Sequence, residues 1–310
     1  MSNTKKTSIG GQALIEGLLM LGPDMQAAAM RHPDGHIVVE EKPRRSSGKL
    51  ARIPFLRGSI RLVTQMKTGV SALMRSAELQ ETGEATTEPT RADRFFERHS
   101  SLVTGLSVVL GLGFSIVLFI LLPSLLTDAL RALWQIPLGT RHYGLALSEG
   151  AVRMLLFIGY LFLTSRLKDI RRVWMYHGAE HKTIACYEAG AELKVDQVKL
   201  FSRLHPRCGT SFLFLVMLIS ILIFTLVPRF GPLVNVGIRL LLLPLIAGIS
   251  FELIRLSGKY DNVLTRAVSK PGLWLQNLTT AEPDDAILEV AIAAMTAVIP
   301  AEAGRDDWAA

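Results

Sequence analysis

The chain has 310 residues, 49% of them hydrophobic and 20% charged, with a formal net charge of +7. Long uncharged runs alternate with basic ones, which excludes a simple soluble domain and assigns the positive charge to loops facing lipid headgroups. The basic residues lack aromatic interleaving, so no nucleic-acid partner is expected, and two cysteines, Cys186 and Cys208, make no disulfide framework and fit a reducing compartment.

Residues 1–53 are expected to form a small α+β cytoplasmic region. Residues 1–10 are polar, with no apolar core after them to make a signal peptide. Gly10, Gly11, Gly17 and Gly22 divide the run from Ile9 to Pro23 into short pieces. Glu16 is the only charge in that run. A carboxylate among apolar neighbours needs a partner or a cation, so Glu16 is a candidate metal ligand, the alternative being an exposed turn residue. Ala27–Arg31, the turn-forming His32-Pro33-Asp34-Gly35 and the β-branched stretch His36–Glu40 predict a β-hairpin. His32 and His36 read as solvated loop residues.

Residues 54–79 repeat Leu56, Ile60, Val63, Met66, Val70, Leu73 and Ala77 at helical spacing, with Arg57, Arg61, Lys67 and Arg75 between them. This pattern predicts an amphipathic helix in the headgroup region; a helix packed on a soluble core would show the same periodicity. Residues 80–98 are rich in Glu and Thr and read as a flexible linker. Apolar runs at 102–126, 150–165, 209–227 and 232–251 predict about four transmembrane helices. None of these expected spans carries an internal carboxylate, which argues against an ion path.

The segment 166–208 carries Arg166, Lys168, Arg171, Arg172, Lys182, Lys194, Lys199, Arg203 and Arg207, whereas 127–149 and 228–231 carry only Arg131, Arg141 and Arg229. The positive-inside rule then puts 166–208 and both termini in the cytoplasm. The tail 252–310 holds one apolar-periodic segment, Asp285–Val298, with Asp284 or Asp285 as its cap. The fold expected is mainly α: a polytopic membrane protein with a small N-terminal α+β region and an interfacial helix.

The segment 166–208 carries the chemistry. Tyr176-His177-Gly178-Ala179-Glu180-His181-Lys182 contains His-x-x-Glu-His. On a helix, His177 and His181 share a face and can grip one divalent metal, most simply zinc, with Glu180 beside them as general base for an activated water. Such a pattern also arises by chance on exposed helices. Asp196–Leu204 predicts a second helix, delivering His205-Pro206-Arg207-Cys208. His205 and Cys208 have ligand spacing, and Arg207 beside the thiol would lower its pKa. Glu252, at the cytoplasmic end of the fourth span, is a candidate distant ligand. Lys182 and Arg207 are candidate oxyanion stabilisers.

The chain resembles the bacterial membrane family known as domain of unknown function 1385, described as predicted metal-dependent enzymes. The resemblance is carried by Gly10–Gly17, Pro54–Gly58, Tyr176–Ile184, Ser202–Phe212, Pro271–Gln276 and Glu282–Asp285. It implies a multi-pass protein of the bacterial cytoplasmic membrane with a bound metal. Two functions are open at this point. One is a zinc-dependent hydrolase at the cytoplasmic face, with lipid around it and a protein or peptide as the first substrate class by analogy. The other is a non-catalytic membrane protein whose His/Cys/Glu cluster is structural, binds a partner or guides a metal.

Overall fold

A computed structural model describes residues 5–44, 53–81, 100–137, 143–228, 230–260 and 262–308. Most of the expected linker, 82–98, lies outside them. The chain divides into two compact units: Met1–Gly83, Phe162–Val216 and Ala247–Ala310 form one, and Glu84–Leu161 and Met217–Ile246 the other.

In the first unit the chain opens with a four-stranded antiparallel sheet of order β1-β2-β3-β4. The strands are β1 (Gly10–Leu14), β2 (Gly17–Leu21), β3 (Met25–Arg31) and β4 (Ile37–Pro43). The expected hairpin is β3–β4, with Arg31 opposite Ile37. Both faces of the sheet are covered. On one, Leu18, Met20, Ala27 and Ala29 pack against Tyr176 and Ala179 of helix α5 (Lys168–Glu188) and Ile287, Leu288 and Ala291 of helix α10 (Asp285–Thr296). On the other, Leu14, Leu19, Leu21, Ala28 and Met30 meet Leu79 of α1 (Leu56–Glu81). β2 is therefore buried at every position, and each large apolar side chain removed from water contributes about 1.5–3 kcal/mol.

Helix α1 covers the expected amphipathic stretch, but its apolar stripe is divided. Leu79 and Ala72 pack on the sheet, while Val63, Met66, Val70 and Leu73 stay exposed. The helix expected over Asp196–Leu204 is a single turn, α6 (Val195–Val198), followed by turn hydrogen bonds from the Leu200 and Phe201 N–H groups to the Gln197 and Val198 carbonyls. Helix α9 (Val263–Thr279) was not expected; Asn262 and Thr265 cap it reciprocally. Asp284 caps α10 by accepting from the Ile287 N–H.

In the second unit, α2 (Ser100–Ile116) runs through a π-helical turn, Val117–Leu121, into α3 (Leu122–Leu133). Pro123 has no N–H for the Phe119 carbonyl, and that carbonyl accepts instead from Arg153 Nε at 2.8 Å. The remaining helices are α4 (Tyr143–Thr164), α7 (Gly209–Leu226) and α8 (Pro232–Lys259). Four stretches are long and apolar enough to cross a membrane: Gly105–Leu133, Tyr143–Thr164, Gly209–Leu226 and Leu233–Lys259. The protein is a mainly helical, multi-spanning membrane protein. Two boundaries correct the sequence reading. Helix α4 starts at Tyr143 and so takes in Glu149, a buried carboxylate ion-paired with Arg153 at 2.8 Å and Arg239 at 2.5 Å. Helix α8 continues to Lys259, which places Glu252 within the helix.

Candidate metal centre

His177 and His181 lie one turn apart on α5, with ring centroids 4.5 Å apart. Two glycines let this helix approach its neighbours. A Cβ on Gly178 would collide with the Ala281 carbonyl oxygen, and one on Gly11 would come within 3.1 Å of the Glu180 carboxyl carbon. The segment 203–208 folds back over α5. Gln276 of α9 holds it, accepting from the His205 N–H and donating to its carbonyl, both at 2.8 Å. Arg203 donates to the Thr280 carbonyl at 2.8 Å. Cys208 thereby arrives over the two histidines at the start of α7.

The imidazoles are oriented from behind. His177 Nδ1 meets the Thr279 carbonyl at 2.7 Å, and His181 Nδ1 meets the Arg203 carbonyl at 2.6 Å. A carbonyl only accepts, so each Nδ1 carries a hydrogen and each Nε2 is the ring atom left to ligate. His177 Nε2 lies 3.1 Å from Cys208 Sγ. His181 is 1% exposed, and its Nε2 is buried without a hydrogen-bond partner. One ligand atom from each of His177, His181 and Cys208 falls within 4.8 Å of the others. An orphaned buried nitrogen, a second imidazole and a thiol with a common focus fit a borderline-soft divalent ion.

Electrostatics agree with that donor set. Burial disfavours a thiolate at Cys208, but His181 and His177 outweigh it and hold the thiol well below its ordinary value of 9.0. Arg207, expected to do this, is paired elsewhere. Burial also disfavours charge on His177, yet Cys208 and Glu180 raise its pKa to about 9. Both shifts favour charge separation between His177 and Cys208, a pair in which a divalent cation would take the place of a proton. Burial lifts the Glu180 carboxyl above its usual range despite the two histidines, while the Gly11 N–H donates to its Oε1 at 2.7 Å. Glu180, His181 and Cys208 all line a cavity of about 500 Å3.

The family model described as "Protein of unknown function (DUF1385)" matches residues 53–301. The chain belongs to this family. It is also 34% identical over 306 residues to the uncharacterized protein YqhQ of Bacillus subtilis (strain 168), covering 95% of this chain and 93% of that one. No solved structure matches. The DUF1385 description carries no activity, so the chemistry rests on the geometry.

In this DUF1385 member the other expected site residues go to different places. His205 lines the cavity but stands outside the trio, its Nε2 3.5 Å from Glu188 Oε2. Glu252 is not brought to the cluster: it forms an ion pair with Arg57, whose Nε donates at 2.6 Å, because α8 carries it to α1. Glu16 is likewise taken by a cation, accepting from Arg172 Nη2 at 2.7 Å and from Tyr176 Oη at 3.3 Å. Lys182 is buried away from the trio, donating to the Lys199 carbonyl at 2.9 Å and pairing with Glu282. Arg207 lines the cavity, pairs with Glu188 and lies over the Trp308 ring. Sequence reasoning missed the roles of Gly11 and Gln276 and the carbonyls of Thr279 and Arg203. Of these only the Gly10-Gly11 pair left a signal. A second trio, His32, Asp34 and His36, lies at the exposed tip of the β3–β4 hairpin.

Proposed function

We propose that the protein is a zinc-dependent hydrolase of the bacterial cytoplasmic membrane, working at its cytoplasmic face. The observation that carries this is the convergence of one ligand atom each from His177, His181 and Cys208, with both Nδ1 atoms facing backbone carbonyls, on the edge of a cavity that Glu180 also lines. A closed structural zinc site takes four protein ligands, whereas a catalytic one takes three and leaves a position open. Among the described residues three converge here. Zinc so held supplies a Lewis acid that activates water near neutral pH.

The chain's own groups do the rest. Glu180 accepts the proton of the attacking water. Its raised pKa makes it a stronger base than a solvated carboxylate. The Gly11 N–H fixes one oxygen, leaving the other for the proton. Arg207, turned towards Glu188, borders the same cavity and supplies positive charge near a developing oxyanion. The basic segment 166–208 supports the cytoplasmic placement, as does the grouping of the N-terminal sheet, α5 and α10 in one unit. Metal analysis of the purified protein tests the reading. Zinc should accompany the wild type and be lost from His181→Ala; equal metal in both would overturn it.

A further inference from the structure

The cavity beside the trio has a second chemical character. Its wall includes Lys42, Arg44 and Arg61. Among the described residues none of the three has a carboxylate partner. Arg44 donates to the Gly22 carbonyl at 2.8 Å, and the Arg61 guanidinium lies 5.4 Å from the Phe251 ring centroid. Other arginines of the same unit are paired: Arg57 with Glu252, Arg172 with Glu16 and Arg207 with Glu188. Both side chains keep part of their surface in solvent; desolvation by their surroundings works against both charges, and at Arg61 the like charges of Arg44, Arg255 and Arg57 add to it while Glu252 offsets them. Two neighbouring guanidinium groups that share a cavity wall and form no ion pair among the described residues offer a place to an anion from outside.

The remaining wall is largely apolar: Leu21, Ile184, Phe212, Phe251 and Ile254. Phe212 belongs to α7 and Phe251 and Ile254 to α8, both candidate membrane spans. A cavity of about 500 Å3 is of ligand size.

We propose that this cavity binds a phosphate-bearing amphiphile, its phosphate held by Arg44 and Arg61 and its apolar part lying against Phe212, Phe251 and Ile254. A phosphate carries about −1.5 to −2 charge at neutral pH, so one group balances both guanidiniums where a carboxylate would leave one uncompensated. Its oxygens also match the guanidinium fork. The proposal names the substrate class of the hydrolase and rests on that reading for the chemistry, but the binding itself does not need the metal.

The test uses the full chain in neutral detergent and measures affinity by calorimetry. The probes are dihexanoyl phosphatidic acid, dihexanoyl phosphatidylcholine, glycerol phosphate and an acidic hexapeptide. Phosphatidic acid should bind about tenfold or more tightly than phosphatidylcholine, and Arg61→Gln should weaken it by about tenfold. Arg61 makes no hydrogen bond to the described fold, so the thermal midpoint of this variant without ligand should match the wild type. Arg75→Gln, which removes a cation paired with Glu40 elsewhere on α1, should change nothing. Weak binding of glycerol phosphate assigns the phosphate to a lipid. Glycerol phosphate binding as tightly as phosphatidic acid, or the peptide binding more tightly, overturns the amphiphile. Equal affinity in wild type and Arg61→Gln overturns the site. Binding that depends on Arg61 and persists in His181→Ala supports the site, and it does so even if the wild type holds no metal, in which case only the hydrolase reading fails.

Discussion

His177 Nε2 lies 3.1 Å from Cys208 Sγ across 31 residues of chain. Two separate supports produce that contact. The Thr279 carbonyl turns the His177 ring, and Gln276, on the same helix α9, pins the segment that ends in Cys208. One helix therefore positions both halves of the pair. Helix α9 carries no ligand and still fixes the geometry of the centre.

The trio predicts which residues hold metal. Wild-type protein should carry about one zinc per chain, and His177→Ala, His181→Ala and Cys208→Ser should each reduce this towards zero, since a three-ligand site does not tolerate losing one. His205→Ala, Glu252→Gln and Glu16→Gln should keep the metal, because the structure commits those side chains to Glu188, Arg57 and Arg172. Elemental analysis after gel filtration reads all of these, and loss of zinc from Glu252→Gln would contradict this ligand set.

Glu180→Gln keeps the shape of the side chain and its hydrogen bond from the Gly11 N–H. The variant should retain zinc and lose about 10²–10⁴-fold in turnover if Glu180 is the base. In cells, failure to complement a deletion strain alongside normal metal content is the expected outcome. Full complementation would move the centre to a structural role.

Gly11→Ala tests positioning without touching a ligand. The added methyl would meet the Leu19 carbonyl oxygen at 2.7 Å and the Glu180 carboxyl carbon at 3.1 Å. Glu180 must shift, while the trio is not contacted. Overpacking of this kind costs about 1–3 kcal/mol of stability. Zinc content should hold while activity falls towards that of Glu180→Gln; loss of zinc with activity intact would refute the arrangement.

The legible parts of this chain are those whose signal is local. The β3–β4 hairpin announces itself through His32-Pro33-Asp34-Gly35, α10 through Asp284, and the spans through uncharged runs. His177 and His181 could be paired because both lie on α5. β1 and β2 were not legible as strands: with β2 buried on both faces, Gly17–Leu21 shows no polar alternation. Helix α9 hid behind Pro271 and a capping box that uses Thr265 in place of Glu or Gln. Glu16 and Glu252 look alike in sequence, as lone carboxylates near apolar segments. Only the folded chain shows that Arg172 and Arg57, 156 and 195 residues away, neutralise them.

The N-terminal segment is held by a pH-sensitive clamp. Asp306 is fully buried, 2.7 Å from Lys5 Nζ, and accepts from Thr7 Oγ1 at 2.6 Å. Burial opposes its charge, but the hydrogen bonds from Lys5, Thr7 and Tyr187 outweigh that and hold the carboxyl below its ordinary 3.8. The folded state thus favours the charged form. Its contribution is present above the unfolded value and is lost as pH falls through the lower folded one. Asp306→Asn should destabilise by about 1–3 kcal/mol at neutral pH. The gap in thermal midpoint from wild type should hold down to about pH 5 and shrink below it. A gap that widens in acid would contradict the clamp.

Orientation in the membrane can be read from one exposed position. Cys186 and Cys208 are both buried, so their silence towards a thiol reagent reports burial and not sidedness. Lys194 lies between α5 and α6 with its side chain 66% exposed, on the basic segment that the positive-inside rule assigns to the cytoplasm. In Lys194→Cys, a membrane-permeant maleimide should label intact cells, and a charged, impermeant one should label only after the cells are opened. Wild-type protein treated in parallel gives the background from the two native cysteines, of which Cys208 lines the cavity. Because residue 194 and the trio belong to the same unit of the fold, labelling by the impermeant reagent from outside would move the metal centre to the outer face and reverse the proposed site of action.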